Sequence, residues 1–262
     1  DKKLALTPAL ATKWAQTSPT VWRFELRKGV VFHGGEKFTA DDVVFTFKRA
    51  AGDGSDMKGY TSSIKEVRKI DDFTVEIETT APFPILPDVI SLVYIMSKSW
   101  CEANKAEKPV DRRKGIENAA SFRTNGTGPF RTKERQPATR TVLVRNFNYW
   151  GKVESNVDEV IFTPIGNDAT RVAALLSGEI DVMEPVPLQD VERINASPNA
   201  RVSNKLNSLT ILVFCIQGPL RDPGCINGRH LPIYYIANFP SCFLMISKLR
   251  GFCLHVKLHG FR

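Results

Sequence analysis

Apolar and polar residues alternate along 21–26, with Trp22, Phe24 and Leu26 on one side and Arg23 and Glu25 on the other. A period of two is the signature of a strand with one buried face. Lys28-Gly29 then reads as a turn, and Val30-Val31-Phe32 as a short second strand ending at Gly34-Gly35. A hairpin is therefore expected over 20–32, with Phe24, Leu26 and Phe32 turned toward a core. The pattern changes at Thr39-Ala40-Asp41-Asp42. There a hydroxyl can cap the first free N–H groups of a helix, and two acids suit its positive end. This helix is expected to run to about Ala51, where Gly52-Asp53-Gly54 stops it.

A second hairpin is expected from 66–70 and 74–78, joined at Asp71-Asp72. Pro82, Pro84 and Pro87 delay regular structure until a short helix can begin. The charged stretch 102–118 reads as a solvated surface segment. Gly126-Thr127-Gly128-Pro129-Phe130 marks a tight turn, with strands expected near Arg131 and over 141–145. A compact strand follows at 160–164. Next comes a helix over 169–177 carrying Val172, Leu175 and Leu176 on one face and closed by Gly178. Extended chain at 180–182 and a last helix over 187–194 complete the series. This strand and helix order implies an α/β lobe with some parallel pairing. No internal repeat or low-complexity run is present.

Charge changes the picture only at the end of the chain. The 262 residues carry a formal charge of +8, and residues 205–262 hold seven basic residues against Asp222 alone. Cys215, Cys225, Cys242 and Cys253 also lie in that tail, and only Cys101 precedes it. Five cysteines without a paired CxxC spacing support neither a zinc site nor a disulfide framework. No metal or cofactor is expected. The longest apolar approach, 231–247, is interrupted by Asn238 and Pro240, so no membrane insertion is expected. The chain opens at Asp1 without the features of a secretory signal.

Catalysis finds no support in the motifs. Nucleophile elbow, zinc-binding His-Glu-x-x-His helix and phosphate loop are all missing, and His33 has no partner that spacing identifies, so no enzyme is expected. The basic tail, with Phe239, Phe243, Phe252 and Phe261 interleaved, offers a nonspecific nucleic-acid-binding module as an alternative of another class. The preferred reading has no nucleic-acid partner.

Five ordered blocks resemble one family. They are 10–14 (Leu-Ala-Thr-Lys-Trp) with 22–35 (Trp-Arg-Phe-Glu-Leu-Arg-Lys-Gly-Val-Val-Phe-His-Gly-Gly), then 38–47, 126–130, 145–151, and 171–175 leading into Gly178-Glu179-Ile180-Asp181-Val182. The chain resembles the extracytoplasmic solute-binding proteins of ABC transporters, peptide/nickel-binding family 5. The resemblance implies an α/β, periplasmic-binding-protein-like fold of class II, incomplete here: most of the first lobe, without its opening strand and without the second lobe. It implies a component of an importer that captures a peptide and presents it to permease subunits, in a periplasmic or extracytoplasmic location. A nickel chelate, haem or an oligosaccharide are alternative ligands of the same fold. The family places the segment before the Gly-Thr-Gly turn near its cleft, which makes Arg123, Asn125 and Thr127 the ligand-facing candidates. Arg123 can meet a carboxylate with its guanidinium fork.

The resemblance covers roughly residues 4–204. From 205 to 262 the composition turns basic and almost free of acids, unlike the mixed surface of a folded α/β lobe. The expected division is thus a partial amino-terminal lobe, 1–204, and an aberrant tail, 205–262, read out of frame or derived from a decayed or misassembled gene. A truncated form with impaired binding follows, because half a cleft leaves its ligand wet.

Overall fold

Trp22, Phe24 and Leu26 occupy alternate positions of a strand, as their spacing requires, and its neighbours on both sides are strands as well. The computed structural model describes residues 5–111, 114–153 and 156–203. Within them β1 (Ala11–Ser18), β2 (Val21–Leu26), β3 (Ile64–Asp71) and β4 (Thr74–Thr79) form one sheet in the order β1-β2-β4-β3. β4 buries every second residue, and Val75 and Ile77 meet Phe24 and Leu26 in one core. That core is closed by α1 (Ala40–Ala50), whose Val43 and Phe47 lie one helical turn apart and are both buried. Three short helices follow: α2 (Lys58–Thr61), α3 (Leu86–Ile90) with Pro87 in its first turn, and α4 (Lys98–Ala103).

A second sheet has the order β5-β6-β7, from β5 (Phe130–Gln136), β6 (Arg140–Arg145) and β7 (Glu159–Phe162). Beyond it α5 (Asp168–Leu176) and α6 (Val191–Asn195) pack Val172, Ile180, Met183 and Ile194 into a smaller core. Gly178 takes φ +76° directly after α5, the left-handed position expected of it.

Three expectations are corrected. Residues 30–32 are not a strand of the sheet: Val31 makes only an isolated bridge to Lys37, and β2 forms its hairpin with β1 across Pro19-Thr20. Val30 and Phe32 are instead core residues of a loop, Phe32 meeting the Phe38 ring edge-on at 6.2 Å. Parallel pairing is not found among the described strands, where every ladder is antiparallel. Tight turns join β1 to β2, β3 to β4 and β5 to β6, and such turns can only reverse the chain. Residues 180–182 belong to no strand; Ile180 is simply buried beneath α5.

The stretch 102–118 is exposed for most of its described length, yet it is docked at one point. Ala106 is fully buried, and the Arg49 guanidinium donates to the carbonyl oxygens of Ala106 and Lys108. The basic tail over 205–262, with the interrupted apolar run 231–247, lies outside the described residues.

Candidate functional site

The turn at residues 125–129 leads into β5, and the Asn125 side chain, both backbone groups of Gly126 and the carbonyls of Thr127, Gly128 and Pro129 are all engaged. From the first sheet's side, the loop after β2 reaches it. The His33 backbone N–H donates to the Gly126 carbonyl at 2.8 Å, and the Gly34 N–H donates to Asn125 Oδ1 at 2.8 Å. Asn125 Nδ2 in turn donates to Glu36 Oε2 at 2.9 Å. The His33 ring closes the contact, with Nδ1 accepting from the Gly126 N–H at 3.3 Å and Nε2 lying 3.0 Å from the Gly128 carbonyl. From the second sheet's side, Asn146 Nδ2 donates to the same Gly128 carbonyl at 3.0 Å and Trp150 Nε1 to the Thr127 carbonyl at 3.1 Å. The Arg27 guanidinium lies 4.5 Å from the Trp150 ring centre, within range for a cation–π contact.

Beside this turn is a cavity of about 570 Å³, a volume typical of small-molecule sites. Its walls are the inner face of the first sheet, represented by Trp14 and Phe24, the Val43 and Phe47 side of α1, and Tyr94, Thr127 and Phe130. No Asp, Glu, Lys or Arg lines it; Thr7, His33, Ser91 and Thr127 bring hydroxyl or imidazole groups, and Trp14 and Tyr94 polar-tipped rings. Such walls favour apolar groups and discriminate against a bare carboxylate or ammonium. Tyr94 is 82% exposed, an unusual state for a large ring. A second groove, of about 500 Å³, runs along α1 and α4 and mixes Lys48, Arg49 and Lys98 with Asp41, Glu102 and Glu107.

The three residues singled out from the sequence occupy different positions. Thr127 lines the cavity. Asn125 is buried, and its side-chain amide is spent on Gly34 and Glu36. Arg123 is exposed, outside the lining, and its backbone N–H closes a turn on the Ala119 carbonyl. Sequence reasoning missed His33, which both lines the cavity and grips the turn, because its partners lie 93 and 95 positions away. Neither Gly126 nor Gly128 takes a positive φ, so the turn does not depend on left-handed backbone.

Among the described residues no group of three or more His, Cys, Asp or Glu side chains could hold a metal ion. No described helix is long and apolar enough to cross a membrane.

Comparison with known proteins agrees with this architecture. The family model described as bacterial extracellular solute-binding proteins, family 5 Middle, matches residues 5–224, running past the compositional boundary at Asn204. The dipeptide-binding protein of Escherichia coli K12 is 30% identical over 209 residues, covering 71% of this chain and 38% of the relative. The periplasmic binding protein DppA from Helicobacter pylori, solved in complex with the peptide STSA, is 28% identical at a TM-score of 0.58, covering 74% of this chain and 40% of that one. NikZ from Campylobacter jejuni, solved with Ni(L-His), shares the fold at a TM-score of 0.65 and 21% identity, covering 76% and 38%. The chain thus spans about two-fifths of the length of the relatives it matches.

Proposed function

The chain belongs to the bacterial extracellular solute-binding proteins of family 5, and from that premise we propose that it is part of the peptide-capturing component of an ABC importer. The observation that carries this reading is the relationship, at 28% identity, to a protein whose structure holds a bound peptide. In the intact parent the peptide would be held between two lobes outside the cytoplasm and handed to membrane permease subunits after closure. The present chain supplies the face built around residues 123–127. Arg123 would meet a peptide carboxylate, and Thr127 would contribute its hydroxyl at the cavity wall. Asn125, with its amide committed to Gly34 and Glu36, would act by holding its neighbours in place.

Because the chain spans about two-fifths of its relatives' length, binding by it alone is weaker than by a complete family member. A ligand resting on one wall keeps its other side in water and gains no closure energy. The test is thermal unfolding of the full chain with and without millimolar dialanine and trialanine. Ligand at about one hundred times its Kd adds about 2.7 kcal/mol to stability, an upward shift of several degrees. A smaller shift, growing with peptide concentration, supports peptide capture by an incomplete site. No shift with either peptide up to its solubility limit removes the peptide reading for this chain.

A further inference from the structure

We propose that His33 is the positioning residue of the solute-facing turn, tying residues 126–128 to the first sheet through a single neutral tautomer. This rests on the reading of that turn as part of the peptide-binding face. The Gly126 N–H points at Nδ1, so Nδ1 must be the bare nitrogen, and the ring proton sits on Nε2, from where it donates to the Gly128 carbonyl. The imidazole therefore reads the turn twice, one acceptor to one N–H and one donor to one carbonyl. The His33 backbone adds a third bond, to the Gly126 carbonyl at 2.8 Å.

The residue between these two anchors is Thr127, whose own carbonyl is held by Trp150 on the opposite side. The His33 ring and Thr127 line the same cavity. A ring that only filled space would need neither nitrogen. A Cβ added at Gly126 would stand 3.6 Å from His33 Cε1, ordinary contact distance, so the ring lies against the turn. Loss of the two ring bonds leaves the sheets intact and loosens the 126–128 backbone, which keeps only its carbonyl bonds to the His33 N–H, Trp150 and Asn146. A glutamine can restore them, since its O=C–N–H group reproduces the N=C–N–H unit of the imidazole, whereas phenylalanine keeps the ring and removes both bonds.

The test compares the full chain with H33F and H33Q, using amide hydrogen exchange to read the turn and trialanine to read binding. Exchange at Gly126, whose N–H the ring accepts, is expected to quicken by about tenfold in H33F, the size of one lost hydrogen bond, while the Phe24 and Val75 amides hold their rates. H33Q should stay within about threefold of the native rates. Trialanine affinity should fall in H33F and return in H33Q. The 15N shifts of the His33 ring should show a bare Nδ1 and a protonated Nε2.

A uniform rise in exchange across turn and sheet in H33F, without recovery in H33Q, would reduce His33 to a packing residue and overturn the proposal. A loosened turn with unchanged trialanine affinity would overturn it as well. If the native chain binds no trialanine at all, the peptide reading fails on its own, and the exchange contrast between H33F and H33Q still decides whether His33 positions the turn.

Discussion

Asp42 Oδ1 accepts the backbone N–H of Lys98 at 2.8 Å, so one buried carboxylate fastens the start of α1 to the start of α4. Its other oxygen accepts the Thr39 N–H at 2.9 Å, the reciprocal half of a capping box. The sequence places Asp42 as a helix-start acid; its burial and its reach to Lys98 follow from the packing of α4. In D42N one acceptor oxygen becomes an NH2 donor facing a backbone N–H. The expected cost is about 1–3 kcal/mol, typical of a buried donor left without a partner, read as a lower urea midpoint.

The same carboxyl predicts a pH dependence. Burial raises its pKa above the ordinary 3.8, against the lowering effect of the Lys98 and Thr39 N–H bonds. The folded protein thus keeps the proton to higher pH than the unfolded chain, and the stability Asp42 contributes falls as pH rises from 3.8 through the raised value. Urea midpoints of the native chain and D42N, measured between about pH 4 and 7, should therefore draw closer as pH increases. A gap that widens instead would mean that the two N–H bonds outweigh burial.

Cys101 is fully buried, and desolvation pushes its thiol up to about 11. The nearby Arg49 charge opposes this but does not prevail. A thiol so placed is inert, because the thiolate is the reactive form. Peptide-resolved alkylation with iodoacetamide at about pH 8 should leave Cys101 unmodified in the folded chain and label it fully in urea. Since the folded thiol binds its proton more tightly, its contribution to stability should fall as pH rises from 9.0 toward 11.

How much of this was legible depended on the reach of each interaction. Strands β2 and β4 were readable because Phe24, Leu26, Val75 and Ile77 repeat every second residue above a single core, and β3 because the Asp71-Asp72 turn folds it back on β4. β1 was not, because most of Ala11–Ser18 is exposed and its ladder is broken by two register shifts, which erases the period. Residues 30–32 looked like a strand because three consecutive apolar residues fit a strand and a buried loop equally well. At the candidate site, Gly126 to Phe130 was recognisable as a turn. The ring that grips it, His33, stands 93 residues earlier, and no local pattern encodes a contact between two loops from different sheets.

Glycine positions give a sharper contrast between the two ends of the fold. Gly178 sits at φ +76°, where any side chain strains the backbone, although nothing lies within 4 Å of an added Cβ. G178A should cost about 1–2 kcal/mol from backbone conformation alone. Gly126 has no positive φ, and its added Cβ meets only His33 Cε1 at an ordinary 3.6 Å. G126A should therefore lie within about 0.5 kcal/mol of the native chain. Equal losses in the two variants, measured by urea unfolding, would contradict the conformations described.

Arg171 is 1% exposed and organises the smaller core. Nη1 donates to the Ile165 carbonyl at 3.0 Å, and Nη2 donates both to Asp168 Oδ1 at 2.6 Å and to the Pro185 carbonyl at 3.1 Å. Asp168, itself more than half exposed, gives the buried guanidinium a partly screened counter-charge. The two carbonyls matter more, because they tie the chain before α5 to the segment after Gly178. R171M preserves the length and apolar bulk of the side chain while leaving both acceptors unmet, at an expected cost of about 2–4 kcal/mol. R171K keeps the charge but replaces a planar fork with a single ammonium, which cannot span acceptors arranged around two nitrogens. It should fall between R171M and the native chain in urea midpoint. If R171K matched the native protein, charge rather than fork geometry would be holding this core together, and the two carbonyl bonds would be incidental.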